Sequence, residues 1–138
     1  MTSAVHATGR SSARAGGASP VPLVIGVGAL AASLIIAVVV IFGFSAPVEL
    51  LLGVPLPLVL AGSWWLSLVG YLLTPLLVIG CYGWDVIGQR NGQRRNANFA
   101  SNPRFTAILR WTLWPAVVVG IWHILNLSVP LSEAWGLS

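Results

Sequence analysis

Three long apolar runs constrain this chain more than any other feature. They are LVIGVGALAASLIIAVVVIFGF (23–44), GSWWLSLVGYLLTPLLVIGCYGW (62–84) and TAILRWTLWPAVVVGIWHILNLS (106–128). The first two carry no charged residue, and the third carries only Arg110, close to its start. At about 1.5 Å per helical residue, each run covers a hydrocarbon core of roughly 30 Å. Lipid supplies no hydrogen bonds, so a spanning segment must satisfy its backbone internally, as a helix does. The expected fold class is an all-α integral membrane protein, with three transmembrane helices in a compact bundle.

Composition supports the same solvent. Charged residues make up 7% of the chain, against roughly 25% in ordinary soluble domains. Too few polar groups are present to cover a water-facing surface of this size. Every basic residue is arginine, as in GC-rich genomes, and the only acids are Glu49, Asp85 and Glu133. A net charge of +4 would suggest nucleic acid if it lay on one folded face. Here the arginines instead flank apolar runs, and Phe99 and Phe105 alone offer stacking surfaces beside them, so no nucleic-acid partner is expected. Cys81 is the single cysteine, which removes disulfides and multi-cysteine metal sites from consideration.

The expected organisation follows the runs. Residues 1–19, rich in Ser, Ala and Gly, read as a disordered basic tail. Transmembrane helix 1 takes 20–44, with Pro20 and Pro22 where a helix start tolerates proline. Residues 45–61 are expected as an outer loop or short interfacial helix, since Pro55 and Pro57 interrupt a segment too short to cross. Helix 2 takes 62–84, with Trp64 and Trp65 at one end and Tyr82 and Trp84 at the other, as in interfacial aromatic belts. Pro75 should kink it. An Arg/Asn-rich loop takes 85–105, helix 3 takes 106–128, and 129–138 form a short outer tail.

Arginine placement gives an orientation. Arg10 and Arg14 lie in the tail, and Arg90, Arg94, Arg95, Arg104 and Arg110 lie in or beside the second connection. The positive-inside rule puts both on the cytoplasmic side, so the N-terminus is expected inside and the C-terminus outside, in the bacterial cytoplasmic membrane. A four-span arrangement would need two helices from 47–84 and would place Arg10 and Arg14 outside. The arginine loop is expected to fix topology and to meet anionic lipid headgroups at that face, each arginine contributing on the order of 1 kcal/mol.

Helical spacing predicts the contact faces. Ser63, Ser67, Gly70, Thr74 and Cys81, with Leu77 between the last two, recur at steps of four and three. Small residues at such a seam let backbones approach closely in lipid. The first span has Ala29, Ser33 and Ala37 beside Gly28 and Ala32. The third has Thr112, Ala116, His123 and Asn126, with Gly120 nearby. Of the three tryptophans in the third run, Trp111 reads as an interface anchor and Trp122 as a protein contact.

His123 is the one ionisable group deep in a run, and such groups are costly in lipid. Ser67 is at matching depth, about 7 Å from the outer end. A catalytic pair would also need a group to orient the imidazole and donors for an oxyanion, and the runs contain no carboxylate. Haem ligation makes His123 a candidate cofactor residue, but His6 in the tail is the only other histidine. The expectation is therefore a packing histidine bonded to Asn126 or Ser67, with no catalytic residue, metal or cofactor. At the inner end, Arg110 reads as an arginine snorkelling to the interface, with a clasp from Asp85 to Arg104 or Arg110 as the alternative. With no catalytic set, the expected role is a small accessory or assembly subunit of a larger membrane complex, its partners being other membrane subunits. A small homo-oligomeric pore or transporter component is the alternative.

Overall fold

The computed structural model describes residues 17–49, 55–59 and 61–136. Most of the expected basic tail, with Arg10 and Arg14, lies outside the described residues. The first helix, α1, spans Val21–Gly43. An antiparallel pair follows, β1 at Ser45–Glu49 and β2 at Pro55–Val59. A single 3₁₀ turn, Ala61–Ser63, leads into α2 at Trp64–Tyr71. A π-helical segment at Leu72–Leu77 joins α2 to α3 at Val78–Arg95, so that 64–95 runs on as one helix. The last helix, α4, spans Pro103–Ala134. Three helices, Val21–Gly43, Trp64–Arg95 and Pro103–Ala134, are long and apolar enough to cross a membrane.

Three boundaries differ from the sequence expectation. The 45–61 segment contains a hairpin, with Ser45 opposite Val59 and Glu49 opposite Pro55, and not a short helix. Prolines 47, 55 and 57 explain it: each fixes φ near the extended range and removes a helix donor. Pro47 and Pro57 face each other in a two-stranded ribbon, whose outer edges tolerate a missing N–H. Leu58 is buried where β2 meets α1 and α4.

The second difference is the arginine segment. Expected as a loop over 85–105, it is helical through Arg95 and again from Pro103. Gln and Arg are good helix formers, and Arg94 and Arg95 in the last turn complement the negative end of the helix dipole. The connection is only 96–102. Asn102 caps α4 by accepting the Arg104 N–H at 3.1 Å, and Pro103 occupies the first turn, where its absent N–H costs nothing. Third, α4 continues through Pro130 to Ala134, so most of the expected outer tail is helix.

Small residues govern how closely the helices pack. Ala29 and Leu30 of α1, Val78 of α3 and Ala116 of α4 form the apolar core, with Leu73 and Leu113 against it. A Cβ on Gly26 would stand 2.7 Å from Leu109 Cδ2 and 3.2 Å from Cys81 Cβ, so α1 touches both other helices there. A Cβ on Gly120 would meet the Pro75 ring at 3.0 Å. At the arginine end, Gly92 lies under the Phe99 ring, which folds the connection back onto α3. The chain entering α1 is tied to this end as well, Ala18 N–H donating to Ala100 O at 3.0 Å.

Candidate functional site

Two buried polar clusters stand out, one midway along the helices and one at the arginine end. The middle cluster begins with Pro75. Proline has no N–H, so in an α or a π pattern one carbonyl, that of Tyr71 or Gly70, loses its backbone donor. Hydroxyls gather at this point. Thr74 Oγ1 donates to Gly70 O at 2.6 Å, and Ser33 Oγ of α1 donates to the same oxygen at 3.1 Å. Ser33 also lies 3.3 Å from Thr74 Oγ1 and 3.0 Å from His123 Nε2. With the serine proton on Gly70 O, Nε2 must donate to Ser33 Oγ, which leaves Nδ1 as the acceptor nitrogen.

The four residues come from α1, α2, the π segment and α4, and Ser33, Thr74 and His123 are fully buried. Gly70 makes the arrangement possible, because any Cβ there would overlap the His123 ring. Trp122 packs edge-on to that ring at 5.0 Å between centroids. Asn126 is fully buried one turn further on, its Nδ2 donating to Trp122 O at 2.9 Å. Ser67 Oγ and His123 Nδ1 are buried without a hydrogen-bond partner among the described residues.

His123 therefore bonds to Ser33 of the first helix, and neither Ser67 nor Asn126 is its partner at Nε2. Equal depth of Ser67 and His123 does not decide the partner, because α1 packs against both other spans and brings Ser33 to the imidazole. Ser33 lies against Nε2 and Gly70 against the face of the ring. Among the described residues no group of His, Cys, Asp and Glu is arranged to hold a metal ion.

The expected contact residues distribute unevenly. Ala29, Ser33 and Ala37 are buried, as are Ser67, Gly70, Thr74, Cys81, Ala116, Gly120 and Asn126, while Ala32, Ser63, Thr112 and Trp122 are half-buried. Gly28 and Leu77 are exposed. Gly28, assigned to the contact row, has no atom within 4 Å of a Cβ placed on it. The reason is rotational: at 3.6 residues per turn it points about 140° away from Ser33. The contact glycine of α1 is Gly26, which the sequence reading missed. Its spacing of three and seven residues from Ala29 and Ser33 was the available signal.

The second cluster holds Asp85, 3% exposed near the middle of α3. Gln89 Nε2 lies 3.0 and 2.9 Å from its two oxygens, and Thr106 Oγ1 donates to Oδ2 at 2.6 Å. Asn102 N–H donates to Gln89 Oε1 at 3.0 Å, joining α3 to the cap of α4. In place of the alternative clasp with Arg104 or Arg110, uncharged donors hold Asp85. Both arginines are exposed, and Asp85 faces inward between the helices. Gln89, Thr106 and Asn102 were not singled out from the sequence, although Asp85 and Gln89 have the i, i+4 spacing of paired helix neighbours. Arg90, Arg94 and Arg95 are likewise exposed.

Comparison with known protein families, curated proteins and solved structures finds no match to this chain.

Proposed function

We propose that the chain is a non-catalytic accessory or assembly subunit of a larger membrane protein complex. The observation that carries this reading is the sorting of polar and apolar groups along the helices. Every exposed residue in 21–43, 64–84 and 111–127 is apolar or glycine. Ser33, Ser67, Thr74, His123 and Asn126 all turn inward. A pore component would carry a polar stripe on an outward face, and an enzyme would open its polar cluster to substrate. What this chain offers is an apolar outer face for lipid and neighbouring helices. Gly28 and Gly80 flatten that face, with open space where a side chain would stand, and small residues are where helices associate closely in lipid.

The same reading makes the chain an integral protein of the bacterial cytoplasmic membrane. The arginine end lies inside, the hairpin end outside, and anionic headgroups surround Arg90, Arg94, Arg95, Arg104 and Arg110. Gentle affinity purification from native membranes with mass spectrometry tests the role. Stoichiometric recovery with larger membrane proteins is the expected result. Recovery as a homo-oligomer alone would contradict it and favour a small pore.

A further inference from the structure

At the arginine end a cleft of about 350 Å³ opens between α3 and α4. Tyr82, Arg90 and Gln93 line one side, and Ser101, Thr106 and Arg110 the other. Both arginines are exposed, and neither forms an ion pair among the described residues. Among the described residues, no carboxylate lines the cleft. The nearest acid, Asp85, is turned inward and occupied by Gln89 and Thr106. The cleft therefore presents two uncompensated guanidinium groups with neutral hydroxyl and amide groups around them, a setting for a phosphate.

The cleft does not end at Arg110. A second groove of about 370 Å³ starts from the same residue and is otherwise lined by Leu113, Trp114 and Val117. Arg110 is seven residues into α4, about 10 Å along the axis, and Val117 is about 10 Å further. Charge lies at the depth of headgroups and an apolar trough lies below it. A free phosphate would use only the first part; a lipid uses both.

We propose that this cleft binds one anionic phospholipid, its phosphate between Arg90 and Arg110 and an acyl chain along Leu113, Trp114 and Val117. The proposal rests on the membrane reading above and sharpens its general headgroup contact into a defined site. Basic pockets between spanning helices on the cytoplasmic side are a recurrent way of holding such lipids.

The test uses the purified full-length chain, titrated with phosphatidylglycerol or phosphatidylcholine of identical acyl chains, with bound lipid counted by native mass spectrometry. One phosphatidylglycerol should be retained roughly tenfold or more over phosphatidylcholine, since two arginines act on it. Arg90→Gln with Arg110→Gln should abolish the preference, and Arg94→Gln with Arg95→Gln, an equal charge loss outside the cleft, should preserve it. Ala107→Phe, which fills the cleft and keeps both charges, should also abolish it. Equal loss in the two arginine pairs would overturn the site in favour of diffuse charge. Full displacement by soluble glycerol phosphate at matched concentration would overturn the lipid assignment. Alkaline extraction of native membranes is read in parallel. Release of the chain there sinks the membrane reading itself, and retention without a phosphatidylglycerol preference sinks the site alone.

Discussion

A Cβ at Gly70 overlaps the His123 ring, so Gly70→Leu must displace the imidazole and separate α2 from α4. Overpacking of this kind costs about 1–3 kcal/mol. Gly28→Leu, one helix away and with open space around it, should be nearly neutral. Thermal unfolding in detergent compares the two, and equal losses would refute the packing described. Ser33→Ala tests the polar side of the same cluster. It leaves His123 Nε2–H without its acceptor, but polar pairs between membrane helices average only about 0.6 kcal/mol. Steric fit should therefore outweigh the hydrogen bond, with Gly70→Leu the more damaging change. Spacing alone made the small residues of this cluster legible. Which atoms meet was not, because the Ser33–His123 contact joins residues 90 apart and depends on how three helices rotate against one another.

The elements show where local sequence rules suffice and where tertiary context takes over. Hydropathy made the three long helices visible. It ended the second helix at 84, where the structure carries it to Arg95, because a solvated helix of Gln, Asn and Arg beyond the apolar run has no hydropathic signal. Pro55 and Pro57 marked 45–61 as a loop or short interfacial helix but did not reveal a paired hairpin, which depends on cross-strand register. Near the connection between them, α3 and α4 are held together by Asp85, Gln89 and Thr106. Thr106→Val keeps the shape and removes the donor to Asp85, so the 96–102 connection should open more often. Limited trypsin digestion, cutting after Arg94, Arg95 or Arg104, should then run several-fold faster than in the parent chain. An unchanged rate would mean that Phe99 on Gly92, with the other contacts, holds the connection alone. Removing Pro75 should shift the helix itself. Pro75→Ala restores one backbone donor and takes away the ring against Gly120, so the π segment should lose its stabilising contact and the α2–α4 packing should loosen. A lower unfolding temperature is expected, and an increase would contradict this view of the segment.

Across the whole molecule, three long apolar helices turn Ser33, Ser67, Thr74, His123 and Asn126 inward. The two ends of the bundle differ in kind. One gathers Arg90, Arg94, Arg95 and Arg104 around the α3–α4 connection, and the other carries the hairpin and the end of α4. Arg90, Arg94 and Arg95 changed together to alanine should weaken the inside preference of that end, as read by a reporter fused after the C-terminus. The most direct test of the account is thiol labelling in intact cells with a reagent that does not cross membranes, in a Cys81→Ser background. Gly136→Cys should react at once, and Asn98→Cys only after the cells are permeabilised. Labelling of both positions from the same side would contradict a three-span bundle and the account built on it.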